Sequence, residues 1–255
     1  MLNLPTPAGR ALLTSKFSPR SIPGLQLWLL ADGAIYQDTG FATPAVANND
    51  PVGGWIDQST SALNVTESTN KPTFKTNVLN GKPVIEFDGT NDKLTNVTGL
   101  AQGDFTVFIV ARIPSVAADK ACFFWGKRAS AESRQFHHSG TADSRQFIGY
   151  VADRASTSAW GNNTWSAWSV TGSGVPTSGT ATATITHRVN GAAAGSGVTG
   201  SALKAFTTNA LYVGADPDGE YWSGQIAEIV AYNSVLNASQ IAAVESYLNS
   251  KWAVY

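Results

Sequence analysis

The chain has 255 residues, a net charge of −1 and only 14% charged residues, against roughly 25% in an average soluble protein. No basic patch or stripe stands out to suggest a nucleic-acid partner, and no run approaches the ~18 apolar residues that a membrane-spanning helix needs. The single cysteine, Cys122, excludes an intrachain disulfide, while eight Trp and 24 Gly suit a β-rich protein of extracellular or viral type better than a helical cytosolic enzyme.

Residues 1–22 are Pro-rich and lack the apolar region and small-residue cleavage site of a signal peptide. They read as an extended N-terminal arm, followed by one domain over 23–255. "PGLQLWLLADG" opens that domain as a strand, with Leu25, Leu27 and Leu29 alternating against Gln26, Trp28 and Leu30. Residues 34–54 are loop, rich in Asn, Asp, Pro and Gly. "KPTFKTNVLNGKPVIEFDG" carries Asn80-Gly81, a strong hairpin dipeptide. "GDFTVFIVARIP" is apolar on both faces and should lie centrally in a sandwich.

"KACFFWGK" is the next strand, with Cys122 as a buried thiol. "SRQFHHSG", "SRQFIGYV" and "NTWSAWSV" continue the sheet. "ATATITHRVNGAAAGSG" is a strand, an Asn190-Gly191 turn and a return. "NALYVGADPDG" is a strand running into an acidic loop, and "YWSGQIAEIVAYNSVL" is a long last strand with Ile226, Glu228 and Val230 on one face. Only the C-terminus is helical: Asn237 and Gln240 form a capping box, and Ile241, Val244, Leu248 and Trp252 make one apolar stripe. This pattern predicts an all-β sandwich with one C-terminal helix.

Three groups of residues are candidates for a site. Trp160, Asn162 and Asn163 lie in the loop "SAWGNNTW". An aromatic ring covers the apolar face of a sugar while polar neighbours bond its hydroxyls, so they are the ligand-binding candidates. Trp165 and Trp168, in the following strand, read as core. Asp216 and Asp218, close to Glu220, offer hard oxygens for calcium; a plain Pro-Asp-Gly turn is the competing reading. Calcium apart, no cofactor is expected. Adjacent His137 and His138 point to opposite faces of a strand, which predicts one packed and one exposed rather than a metal site. Glu86, Asp88 and Asp92 raise the question of paired catalytic carboxylates.

The ordered set "IPGLQLWLLADG", "VGGWIDQS", "KPTFKTNVLNGKPVIEFDGTNDKL", "GDFTVFIVARI", "HRVNG", "YVGAD" and "GQIAEIVAYNSVLNASQIAAVESYLNSKW" resembles the laminin-G-like, concanavalin-A-like jelly-roll domains of bacterial surface proteins and bacteriophage structural proteins. The resemblance covers about residues 22–255 and implies two curved antiparallel sheets, with binding or structural roles more often than catalysis. Glucanases of that fold carry an ExDxxE strand motif; here Glu86 and Asp88 are followed by Asn91 in the third place, where a proton-transferring acid is needed. Expectation therefore falls on a non-enzymatic bacteriophage virion protein, a head decoration or tail-associated protein displayed on the virion surface. The arm would hold it to other virion proteins or sister chains as a homo-oligomer, with an outward-facing domain for a host glycan. The alternative is an extracellular carbohydrate-binding module or adhesin domain of a secreted bacterial protein.

Overall fold

The computed structural model describes residues 17–114, 120–128, 131–139, 144–148, 154–159 and 161–255. The first strands are β1 (Leu25–Leu30), β2 (Ile35–Tyr36), β3 (Gly54–Trp55), β4 (Val65–Thr66), β5 (Thr73–Leu79), β6 (Lys82–Asp88) and β7 (Leu94–Asn96). Then come β8 (Phe105–Ile113), β9 (Lys120–Gly126), β10 (Ser133–Ser139), β11 (Ser144–Ile148), β12 (Arg154–Ala159) and β13 (Thr164–Ser173). The chain continues through β14 (Thr180–Ala181), β15 (Thr184–Val189), β16 (Ala192–Val198), β17 (Leu203–Lys204), β18 (Ala210–Val213) and β19 (Ser223–Tyr232), and ends in helix α1 (Ala238–Trp252).

Two antiparallel sheets stack face to face. The eight-stranded sheet runs β16-β15-β13-β8-β19-β6-β5, with β1 also pairing β19; the nine-stranded sheet runs β12-β11-β10-β9-β18-β7-β4-β3-β2. Strand β8 is central, as its two-sided apolar sequence predicts, and is buried from Phe105 to Ala111. The fold is the expected jelly-roll sandwich with a single C-terminal helix.

The sheets meet through aromatic rings. Phe105 of β8 packs on Trp125 and Phe147 of the opposite sheet, with ring centroids 5.1 and 5.3 Å away, and Trp168 of β13 packs on Phe136 at 4.7 Å. Odd-numbered residues of β8 therefore face inward, and Thr106, Phe108, Val110 and Arg112 face outward. Cys122 is fully buried, and burial pushes its thiol up.

Both dipeptide turns form as the sequence requires. Asn80 and Gly81 have φ of 48° and 71°, and Asn190 and Gly191 have 51° and 75°, the positive pair that a tight hairpin turn demands. Helix α1 starts with the capping box: Asn237 Oδ1 accepts the Gln240 N–H at 2.9 Å, and Gln240 Oε1 accepts the Asn237 N–H at 3.0 Å.

The helix docks on the outer face of the eight-stranded sheet around one buried carboxylate. Glu228 accepts the indole N–H groups of Trp28 and Trp252, both at 2.7 Å, the Tyr247 hydroxyl at 2.9 Å and the Lys251 ammonium at 2.9 Å. A bulge puts it there. Ile226 pairs with Ala111 but Glu228 pairs with the next residue, Val110, so Ile226 faces inward and Glu228 outward. The strict alternation expected for Ile226, Glu228 and Val230 is broken by that extra residue.

The domain begins before residue 23. Pro19 and Ile22 are buried, Tyr232 Oη donates to the Pro19 carbonyl at 3.0 Å, and Arg20 donates to the Gln58 carbonyl. Phe17 packs on Tyr247 with ring centroids 6.0 Å apart, in a groove of about 740 Å³ that also takes in Lys82 and Lys251. Of the expected arm, 1–16 lie outside the described residues, while 17–22 are part of the fold.

Candidate functional site: a polar row beside an indole

Helix α1 covers part of the outer face of the eight-stranded sheet. Beyond it the strand register lines up one row of side chains. Glu86 of β6 stands opposite Gln225 of β19, Gln225 opposite Arg112 of β8, and Arg112 opposite Trp165 of β13. The row is joined end to end. Gln225 donates through Nε2 to Glu86 Oε2 at 2.5 Å, and its Oε1 accepts from Arg112 Nη2 at 2.5 Å. The Arg112 guanidinium carbon lies 5.3 Å from the centre of the Trp165 ring. Lys75 of β5 closes the other end, 3.1 Å from Glu86 Oε1.

The row lies at the surface but is not mobile decoration. The Lys75 and Glu86 side chains are 24% and 39% exposed, Arg112 and Trp165 are half-buried, and Gln225 is buried. Bonds on both ends of its amide fix which way Gln225 points. A flat apolar ring thus sits beside a guanidinium, an amide, a carboxylate and an ammonium, all held by rigid strands. Such a set can cover a sugar ring and bond its hydroxyls.

The turn singled out from sequence borders this row. Asn162 and Asn163 are exposed immediately before β13; Asn163 has φ of 56° and donates its N–H to the Ile113 carbonyl at 2.8 Å. Trp160 lies outside the described residues. Trp168 is core as expected, but Trp165 faces outward, because neighbouring odd and even positions of β13 point to opposite faces. The sequence signal for Trp165 was its cross-strand partner Arg112, and that pairing is not readable without the register.

The acidic loop is built around an arginine. Arg128 Nε lies 3.1 Å from Asp216 and 2.9 Å from Asp218, and its Nη2 lies 3.3 Å from Glu220. Asp216, only 2% exposed, also accepts the N–H groups of Asp218 and Glu220 at 3.0 Å each. The oxygens proposed for calcium thus have a guanidinium and backbone amides as partners, and no group of three metal-ligating side chains occurs among the described residues. Burial raises the Asp216 carboxyl. Glu220 is lowered to about 2, first by its hydrogen bond with His137, whose Nε2 is 3.1 Å from Glu220 Oε2.

His137 and His138 are both buried, at 2% and 0% exposure, where one exposed ring was expected. His137 packs into the Glu220 cluster.

Glu86 and Asp88 do share a face of β6, but Asp88 belongs to a turn. Its Oδ1 accepts the N–H groups of Thr90 at 2.8 Å and Asn91 at 3.1 Å, and Gly89 takes φ of 74°. Burial opposes ionisation of Asp88, but these backbone bonds outweigh it and hold its carboxyl below the usual range. Glu86 is engaged by Gln225 and Lys75. Neither carboxylate is arranged as a free proton donor opposite a free nucleophile.

Residues 87–242 match the family model of the concanavalin A-like lectin/glucanases superfamily. The chain belongs to this superfamily. The match starts inside β6 and ends inside α1, so it spans β8, β13 and β19 of the row. By sequence, no curated protein matches the chain.

Solved structures extend the likeness to the fold of nearly the whole chain. Trypanosoma rangeli sialidase is similar at a TM-score of 0.60 and 15% identity, over 90% of this chain and 33% of that one. The binding domain of Paraclostridial Mosquitocidal Protein 1 is similar at 0.59 and 12% identity, over 91% and 54%. The botulinum neurotoxin serotype D binding domain is similar at 0.53 and 12% identity, over 88% and 51%. The chain therefore spans about a third of the sialidase and about half of the two toxin binding domains. At these identities the likeness is one of fold: a lectin-like jelly roll.

Proposed function

We propose that the chain is a non-catalytic, glycan-binding module that takes sugar on the row formed by Trp165, Arg112, Gln225 and Glu86. The observation that carries this reading is the row itself. An indole at a sheet surface stands in register with a hydrogen-bonded series of donors and acceptors, the combination that ligand sites use for apolar contact and orientation. Membership of a lectin-containing superfamily supports it. Asn91 in place of a third carboxylate, and the engagement of Asp88 in a turn, support binding without turnover.

A glycan array probed with the full chain tests the reading. The expected result is binding to a restricted set of glycans that Trp165→Ala removes while the chain stays folded, its melting temperature lowered by only about 2–8 °C. An array with no bound glycan overturns it. Incubation of the chain with β-glucans is expected to release no reducing ends.

For the carrier we propose a bacteriophage virion, on the ground of the low charge and the Gly- and Trp-rich composition, with a secreted bacterial adhesin as the alternative. Mass spectrometry of purified particles decides between them: stoichiometric copies support the virion, and absence from particles favours the adhesin.

A further inference from the structure

We infer that the row is specific for glycans that carry a carboxylate, with Arg112 as the residue that selects them. This rests on the glycan-binding reading and names its ligand class.

The argument starts from charge. Among the described residues, no carboxylate lies in salt-bridge range of the Arg112 guanidinium. Its partners are a neutral amide, Gln225, and an indole, Trp165. Arg20 shares this pattern, over the Trp28 ring at 5.6 Å and bonded to the Gln58 carbonyl, but it is exposed. Among the described residues, the other buried or half-buried arginines differ. Arg128 is surrounded by Asp216, Asp218 and Glu220, and Arg188 is bonded through Nε and Nη2 to both oxygens of Glu245. Arg134, which also lacks a carboxylate partner, is buried and gives its N–H groups to the carbonyls of Ala131, Ser133 and Lys204. Arg112 is instead half-buried at the surface, and its Nε is buried with no hydrogen-bond partner.

The nearest acid in the row does not neutralise it. Glu86 is separated from Arg112 by Gln225 and is paired with Lys75 at 3.1 Å. Gln225 is buried and oriented so that its carbonyl faces Arg112 and its amide faces Glu86, which keeps the two charges apart. A cation that is partly desolvated and lacks a counter-ion is under-compensated. A planar guanidinium fixed over an indole is shaped for bidentate capture of a carboxylate. A sugar acid would place its carboxylate on Arg112 and its ring against Trp165. The charge-assisted bond should make an acidic glycan bind roughly ten- to a hundred-fold tighter than its neutral counterpart.

The test is an array on which uronate- and sialate-terminated glycans are each printed beside their methyl esters, which remove the charge and add one methyl group. Wild-type chain is expected to bind an acid at least roughly ten-fold more tightly than its ester. Arg112→Gln is expected to equalise the pair, and Arg112→Lys to retain part of the preference. Near-ultraviolet circular dichroism and the melting temperature check that each variant is folded; should Arg112→Gln unfold, Arg112→Lys and the wild-type acid-to-ester ratio still decide. Equal binding of acid and ester by wild type, or a preference that survives Arg112→Gln, overturns the inference and leaves glycan binding standing. Binding to no glycan, charged or neutral, overturns both.

Discussion

Trp165 and Arg112 are direct cross-strand partners, with the guanidinium carbon 5.3 Å from the indole centre. The contact turns an outward-facing aromatic residue into a fixed surface rather than a loose one. Trp165 and Trp168 lie three residues apart on β13 but on opposite faces, so their substitutions should separate binding from stability. Trp168→Ala empties a site packed against Phe136 and His187 and should cost about 3–5 kcal/mol. Trp165→Ala should cost about 1–2 kcal/mol, since part of its area is already in water, and should abolish glycan binding. Trp165→Phe should keep part of that binding. Chemical denaturation and an array, run on both variants, check the split.

Glu228 is the point where α1 is fastened to the sheet. Four donors converge on its carboxylate, and Lys251, one of them, also pairs with Asp32 at 2.7 Å. Glu228→Ala would leave two indole N–H groups and a phenol without their carboxylate acceptor inside the fold, and the Lys251 ammonium with Asp32 as its remaining carboxylate. Breaking a buried pair in this way should cost about 3–5 kcal/mol. Glu228→Gln keeps one acceptor oxygen but loses the charge, and should cost less than the alanine variant. Hydrogen exchange should localise the damage to α1 and β1 and spare the nine-stranded sheet. Uniform loss of protection would contradict the role assigned to Glu228.

The layout of the sandwich was legible where local chemistry dictates it. The Asn-Gly turns, the capping box at Asn237 and the apolar run of β8 each follow from the residues on the spot. What failed to show was what depends on pairing. The bulge between Ile226 and Glu228 reverses a face, and no residue type announces it. The row from Glu86 to Trp165 unites residues from β6, β19, β8 and β13, which only the register brings side by side. Composition points to the Asn162–Asn163 turn, which stands just before Trp165 in the chain, and to the acidic loop as a set of hard oxygens; Arg128, which meets those oxygens, is some 90 residues away in sequence.

The turn after β6 should impose its own pH dependence. Burial pushes Asp92 up to about 6, and the charges of Asp88 and Glu86 add to the shift, against a usual value of 3.8. The folded state therefore favours the protonated carboxyl. Its stabilising contribution is complete below pH ~4 and is lost as the pH rises through ~6. Asp92→Asn can still accept the Asp88 N–H that Asp92 Oδ2 accepts at 2.9 Å, yet it has no proton to lose. The variant should match wild type near pH 4 and melt at a higher temperature above pH 6. Melting curves that stay parallel across this window would rule the assignment out.

The cluster around Arg128 should respond to pH in the opposite sense. Glu220 is lowered to about 2 from 4.5, chiefly by its hydrogen bond with His137, against the effect of burial, and further by the charges of His137 and Arg128. Its contribution is present above pH ~4.5 and is lost as the pH falls toward 2, and after allowance for solvent screening it is on the order of 1–2 kcal/mol. Glu220→Gln should lower stability at neutral pH by about that amount and flatten the acid limb of the stability curve. Arg128 supplies the test from the other side. Arg128→Ala leaves Asp216, Asp218 and Glu220 without the guanidinium on which they converge. Repulsion should lower the melting temperature, and calcium should restore part of it, because the freed oxygens are hard ligands. Wild type should show no comparable calcium response, since the arginine already occupies the centre of the cluster. A wild-type melting temperature that rises with calcium and falls with chelator would show instead that the ion displaces Arg128.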